Sequence, residues 1–142
     1  MALSSNALCA KAKAMYGYRI GEEGYSDLCR KQSLSEMVTY LKSQTKYSGV
    51  LEDINVRNVH RRQVEAALNK EYFECCARLM KYAPKKNQDF YSQEVIGIEV
   101  QLIVDKVVSI KEKDQASFSL EIPDYLASKM SFNIYGLINV DN

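Results

Sequence analysis

The chain has 142 residues, 46% of them apolar, which fits one small domain or a piece of a larger protein. Lysines and arginines number 19 against 18 aspartates and glutamates, so the chain lacks the strong positive field that binds nucleic acid or acidic lipid without specificity. The sequence has no apolar run of the roughly 20 residues that span a bilayer and no apolar segment of signal-peptide type. It predicts a protein that is neither membrane-spanning nor secreted.

The cysteines indicate neither a zinc site nor a disulfide framework. Cys9, Cys29, Cys75 and Cys76 include no Cys-x-x-Cys pair, and adjacent residues on a helix point to different sides. A reducing cytosol is the simplest setting for such a chain.

The dominant period is helical, and Pro84 and Pro123 stand at element boundaries, so the sequence predicts an all-α fold. A first helix is expected from Ser4 or Ser5, either of which can cap it, toward Tyr18. After a glycine-bracketed connection, a second short helix has a small apolar face. That face consists of Tyr25, Leu28 and Cys29.

Ser33 and Glu36 form a capping-box pattern that predicts the start of a third helix. Four apolar residues then follow at i, i+3, i+4 and i+7 and predict one buried stripe: Leu34, Met37, Val38 and Leu41. The next long helix has its apolar side at Val64, Leu68, Cys75, Leu79 and Tyr82.

The interval from Pro84 to Gln88 predicts a boundary, with Asp89 as the cap of the following helix. Residues 95–110 fit both periods, since one apolar set alternates as in a strand and another repeats as in a helix. The segment is long for a strand and would have no strand partner, which favours a buried helix. That helix would bury Ile96, Val100, Ile103, Val107 and Ile110.

After a polar stretch, Pro123 is expected in the first turn of a helix that runs to Met130, and a second short helix is expected after Asn133. These elements complete the predicted helical chain.

Several short motifs follow one another in a fixed order. Lys-Ala-Met-Tyr-Gly ends at Gly17, a Tyr-Leu-Lys helix spans 40–42, a Thr-x-Tyr turn spans 45–47, and His60-Arg61 precedes Glu65. In order and spacing these motifs resemble the opening of the C-type central-stalk component of V-type ATPases and archaeal-type ATP synthases, whose eukaryotic counterpart is designated d. The resemblance extends more weakly to the Ile98–Ile103 helix and to Ile122–Leu126, and it departs at Lys106-Val107-Val108, where many family members have a Leu-Arg pair.

The resemblance implies a compact helical domain, the first of three related repeats of a funnel-shaped protein. Residues 1–119 would form the first repeat, and residues 120–142 would begin a second, truncated one. The implied function is non-catalytic: a rotor component that links the central shaft to the membrane proteolipid ring and transmits torque between ATP turnover and ion transport. It implies no cofactor, no metal and no nucleic acid, and a peripheral position on the cytoplasmic side, touching the membrane only through the ring.

The sequence contains no catalytic motif, and His60 is the single histidine. A lone histidine beside two arginines more often packs or hydrogen-bonds than catalyses. Arg61 and Glu65 could position a partner, although an i, i+4 ion pair that holds the helix to a neighbour is the simpler interpretation. The residues that we single out for structural or partner contacts are His60, Arg61, Glu65, Tyr40 and Tyr47.

Two alternatives stay open at this stage. One is a cytosolic helical interaction module unrelated to rotary ATPases, which would share the same caps and stripes. The other is an enzyme that uses His60 with nearby carboxylates, which would require a concave pocket around that imidazole.

Overall fold

The computed structural model describes residues 2–84, 88–112, 118 and 120–140, and within these ranges it contains helices and turns but no strand. The all-α prediction is confirmed. The elements in chain order are α1 (Ala2–Tyr16), α2 (Glu22–Cys29), α3 (Leu34–Gln44), a 3₁₀ helix (Val56–Asn58), α4 (Arg61–Met80), α5 (Gln88–Lys111), α6 (Asp124–Ala127) and a second 3₁₀ helix (Ile134–Asn139).

These elements form two compact units. The N-terminal unit is Cys9–Glu71, and the C-terminal unit is Tyr72–Asn142 together with Met1–Leu8. The predicted division into repeats at residues 119 and 120 stays a prediction. None of the helices in the described ranges has the length and hydropathy needed to cross a bilayer.

The first two helices are present, with shifted ends. α1 begins at Ala2, before the predicted start at Ser4 or Ser5, and it ends at Tyr16 rather than near Tyr18. The helix tightens there, because the amide of Tyr18 donates to the carbonyl of Met15, three residues back, at 3.0 Å. α2 confirms the second short helix.

The predicted cap of α3 is confirmed. Ser33 Oγ accepts a hydrogen bond from the Glu36 amide at 3.2 Å. The Glu36 carboxylate accepts from the Gln32 amide at 3.1 Å, so the reciprocal half of the box closes one residue earlier than the motif predicts. The first turn of α3 is therefore fixed from both ends.

The core of the N-terminal unit is aliphatic. In the predicted stripe of α3, Val38 and Leu41 are buried, whereas Leu34 and Met37 are half-buried. The full set of buried apolar side chains in this core is Val38, Leu41, Leu51 and Val64. The sequence analysis missed Leu51, which lies in the loop after α3.

The apolar side of α4 is only partly as predicted. Val64 is buried and Leu68 packs against the N-terminal core. Further along, Phe73 and Ala77 are the buried residues, and Tyr82 is 48% exposed beyond the end of the helix. Phe73 and Ala77 are four residues apart, so this pair takes the inward face that the prediction gave to Cys75 and Leu79, which are half-buried.

α5 confirms that residues 95–110 are helical, but the predicted buried stripe is wrong. Val95, Ile98 and Leu102 face the core of the C-terminal unit. The residues expected inside are mainly outside: Ile96 is 54% exposed, Val100 55%, Ile103 38% and Val107 57%, and Ile110 is half-buried. Both faces of this helix are apolar, so the period alone could not say which one is buried.

The inward face of α5 packs on the segment after it, through buried Leu126 and Ile134. Pro123 is the residue before α6 rather than inside it, and α6 is a single turn that ends at Ala127, short of Met130. Asn133 caps the second 3₁₀ helix, which confirms the short helix expected there.

The boundary near Pro84 can be followed only in part. α4 ends at Met80, and residues 85–87 lie outside the described residues. Asp89 lies within the first turn of α5, which begins at Gln88, so its predicted role as the cap is wrong. A carboxylate in a first turn still interacts favourably with the helix dipole.

Candidate partner interface

The Tyr-Leu-Lys motif ties α3 to the loop that follows it. Leu41 is buried in the core of the N-terminal unit. The Lys42 ammonium donates to two backbone carbonyls, that of Glu52 at 3.0 Å and that of Ile54 at 3.1 Å. A lysine with three donors satisfies both carbonyls at once, so this side chain fixes the loop rather than meeting solvent.

Tyr40, the third member of that motif, lies against α2. Its side chain is half-buried, and the Lys31 ammonium lies 5.1 Å from its ring centroid. A Cβ built on Gly24 would lie 3.4 Å from the Tyr40 hydroxyl and 2.6 Å from Ile20 Cγ2. Glycine at position 24 is therefore needed for α2 to approach this closely.

The Thr-x-Tyr turn closes the end of α3. Thr45 Oγ1 donates to the carbonyl of Leu41 at 2.5 Å and accepts from the amide of Tyr47 at 3.2 Å. Tyr47 is half-buried and packs against the core of the N-terminal unit. One hydroxyl thus pairs a free carbonyl of the last helical turn with the next free amide.

His60, Arg61 and Glu65 lie at the start of α4, and all three are exposed. The His60 amide donates to Gln63 Oε1 at 3.1 Å, so Gln63 contributes to the cap of this helix. Arg61 Nε lies 2.6 Å from Glu65 Oε1, and the two side chains are 83% and 50% exposed. The ion pair lies within α4, so it does not hold the helix to a neighbour as the sequence analysis suggested.

The motif residues thus separate into two groups. Tyr40, Lys42, Thr45 and Tyr47 build the N-terminal unit, whereas His60 and Arg61 extend into solvent. The family model described as ATP synthase (C/AC39) subunit matches residues 8–142, which is nearly the whole chain. The chain belongs to this family. Among curated proteins and among solved structures, no match was found.

Family membership places the chain among the components of rotary ATPases and decides against the unrelated interaction module. The motifs on which the resemblance rests, from Lys13 to Glu65, all fall within the matched range. The contacts of this member of the C/AC39 family depend on its exposed surface.

One exposed surface of the N-terminal unit combines aromatic rings with cations. The Arg19 guanidinium lies 3.9 Å from the centroid of the Tyr16 ring, and the Lys46 ammonium lies 3.7 Å from that of Tyr18. The two tyrosines are 62% and 55% exposed. The sequence analysis missed the cations that stack on these rings.

The C-terminal unit contains a cluster of titratable groups outside the predicted site. The Tyr72 hydroxyl donates to the Glu94 carboxylate, and this hydrogen bond, followed by burial, raises the pKa of Tyr72. Burial raises the pKa of the Cys76 thiol. Both groups therefore stay protonated at neutral pH, and a protonated thiol is a poor nucleophile.

The described residues bring together no three His, Cys, Asp or Glu side chains that could hold a metal ion. The polar residues that sequence reasoning missed are instead buried on α5. The Glu99 carboxylate accepts from both the amide and the hydroxyl of Ser131, the latter at 3.0 Å. The Lys106 ammonium lies 3.4 Å from the carbonyl of Ile138.

These two buried charges fix the segment 131–138 against α5. The signal for Glu99 was present in the sequence, because it is the one charged residue between Val95 and Val104. A charge that interrupts an apolar run is buried only when it has partners, and the partners lie about thirty residues further along the chain.

Proposed function

We propose that this C/AC39 family member is a non-catalytic rotor component of a rotary ATPase, which links the central shaft to the membrane proteolipid ring. It would transmit torque, and so couple ATP hydrolysis or synthesis to ion transport. The observation that supports the proposal most directly is the family match over residues 8–142. In this proposal the protein lies at the cytoplasmic side of the membrane and touches it only through the ring.

The construction of the N-terminal unit supports a mechanical role. Side chains at the motif positions are used to fix the backbone: Lys42 holds two loop carbonyls, and Thr45 closes the end of α3. Close-packed interiors deform little under load, and a part that transmits torque needs that property. Gly24 allows α2 to pack closely for the same reason.

The proposal also includes the repeat organisation. Residues 1–119 would be the first of three related repeats, and residues 120–142 would begin the second. Leu126 and Ile134 are buried in the core that contains α5. The second repeat would therefore begin in direct contact with the first, which leaves little freedom at the junction.

The exposed residues His60, Arg61 and Glu65, with Tyr40 and Tyr47 elsewhere in the same unit, remain our candidates for contacts to partner proteins. Exposure at the start of α4 is what supports this assignment for the first three. Tyr40 and Tyr47 are half-buried and would act by keeping the N-terminal unit rigid.

The test is to tag the full-length gene product in its own cells, extract the membranes in mild detergent and identify the co-purifying proteins by mass spectrometry. We expect the catalytic, shaft and proteolipid subunits of a rotary ATPase. A clean preparation without any of them would overturn the proposal. Tagging a shaft protein and recovering this chain would provide the reciprocal control.

A further inference from the structure

The outer face of α5 is apolar along most of its length. Its members are all exposed, at 70% for Phe90, 54% for Ile96, 55% for Val100, 48% for Val104, 57% for Val107 and 43% for Val108. From Phe90 to Val108 a helix rises about 27 Å at 1.5 Å per residue. An exposed apolar stripe of this length marks an interaction site rather than ordinary surface.

Gly97 lies in the middle of this stripe and gives a second, independent indication. Glycine is among the least favourable residues in a helix interior. Nothing in the described part of the chain requires it there, because a Cβ at position 97 would meet no atom within 4 Å. A glycine on an open helix face permits close approach of another backbone.

One edge of the stripe is acidic. Glu94 and Asp105 are eleven residues apart, a spacing that brings both to the same side of the helix. Glu94 accepts from the Tyr72 hydroxyl and Asp105 from the Gln101 amide at 2.8 Å, so these partners add no positive charge. The opposite edge has uncharged Ser92 and Ile110.

This charge pattern selects among occupants. A second copy that packed antiparallel about a two-fold axis would bring acidic edge against acidic edge, which is repulsive. A parallel copy would leave the acidic edge facing Ser92 and Ile110. A helix of a different chain with lysines or arginines along one edge satisfies both the apolar stripe and the carboxylates.

We propose that the outer face of α5 is the docking site for an amphipathic helix of another protein of the same rotary ATPase. The partner helix crosses at Gly97, places an apolar seam over Val100 and Val104, and directs basic side chains at Glu94 and Asp105. The small residue lets the two axes approach closer than the usual separation of about 8–10 Å. This inference rests on the proposed function, because it takes the occupant from the assembled machine.

The first experiment maps the occupant in the full-length protein inside its own cells. A photo-crosslinking amino acid replaces Val104, and the crosslinked peptides are identified by mass spectrometry. We expect a helical segment of another ATPase protein with basic residues along one side. Ser128, an exposed polar position on another element, is the control position and is expected to give no such product. A crosslink to a second copy, or to another part of the same chain, would overturn the inference.

Matched variants test the contact itself. Val104→Asp is expected to lower recovery of the partner proteins about tenfold. Val140→Asp makes the same chemical change at a side chain of similar exposure, 45%, outside the stripe and should leave recovery unchanged. The full-length protein purified alone should keep its melting temperature in both variants. A loss of that temperature specific to Val104→Asp would show that the chain covers this face itself and would overturn the inference.

Gly97→Ala separates docking from folding. The substitution should raise the melting temperature of the protein alone, because alanine is the better helix former. It should lower recovery of the partner proteins about threefold, because the added methyl keeps the two helices apart. Unchanged recovery would contradict a crossing at Gly97.

The two proposals fail in different ways. If the wild-type protein recovers the other ATPase proteins but Val104→Asp recovers them equally well, the docking inference is wrong and the proposed function stands. If the wild-type protein recovers none of them, the proposed function fails, and the docking inference that rests on it fails as well.

Discussion

The two units of the molecule use their apolar residues differently. In the N-terminal unit the apolar stripe of α3 faces inward, and Val38 and Leu41 are buried beside Leu51. In the C-terminal unit the main helix, α5, has apolar residues on both faces, and its buried face includes the charged Glu99 and Lys106. The N-terminal unit therefore uses its stripe for its own core, whereas α5 has more apolar surface than its unit can cover.

This difference indicates where stability resides and where contacts begin. Aliphatic packing holds the N-terminal unit, and its hydrogen-bonding motifs fix the loops around that packing. Buried polar pairs specify how the segment 131–138 lies on α5, because a charge has few places where it is satisfied. The surplus apolar face is then left for another molecule.

The largest effect is expected from Leu51→Ala in the N-terminal core. Leu51 is fully buried, so losing its side chain should reduce the free energy of unfolding by about 2–5 kcal/mol. Urea unfolding of the full-length protein, followed by circular dichroism, measures the loss. Leu34→Ala, at a half-buried position of the same core, is the control and should cost clearly less. Equal losses would show that burial does not rank these positions.

The next effect tests the polar half of the comparison. Glu99→Gln keeps the shape of the side chain but removes the charge that accepts from Ser131, and should cost about 1.5–3 kcal/mol of unfolding free energy. Glu94→Gln makes the same change at an exposed position of α5 and should cost less than about 1 kcal/mol. If the two variants unfold alike, Glu99 does not fix the segment after α5.

The elements that depend on local chemistry could be predicted from the sequence. The Ser33 cap and the inward residues of α3 follow from side chains within one or two helical turns. The helical state of residues 95–110 followed from length and from the lack of a strand partner. These features need no knowledge of distant contacts.

The faces of α4 and α5 could not be predicted, because they depend on partners far along the chain. Leu126 and Ile134 decide which side of α5 is buried, and Phe73 displaces the stripe expected on α4. Of the candidate site, the sequence identified the residues but not their arrangement. Nothing local distinguishes a lysine such as Lys42, which binds loop carbonyls, from one that stays in solvent.

A smaller effect is expected from Thr45→Val, which keeps the shape of the side chain and removes both hydrogen bonds of the turn. The loss should be about 1 kcal/mol, since the Leu41 carbonyl and the Tyr47 amide lose their partner. Thr39→Val is the matched control, because Thr39 Oγ1 donates to the Ser35 carbonyl within exposed helix and closes no turn. Denaturant unfolding of both variants decides whether the motif threonine is special.

The smallest effect on stability is expected at Arg61 and Glu65. Because both side chains are largely exposed, a double-mutant cycle to alanine should give a coupling of about 0.3–0.5 kcal/mol that falls as salt is added. A coupling above about 1 kcal/mol would mean that the pair is structural. With the small value, Arg61→Ala becomes a clean probe of the proposed partner surface: a loss of co-purifying ATPase proteins without a loss of stability would assign Arg61 to that surface, and unchanged recovery would remove it.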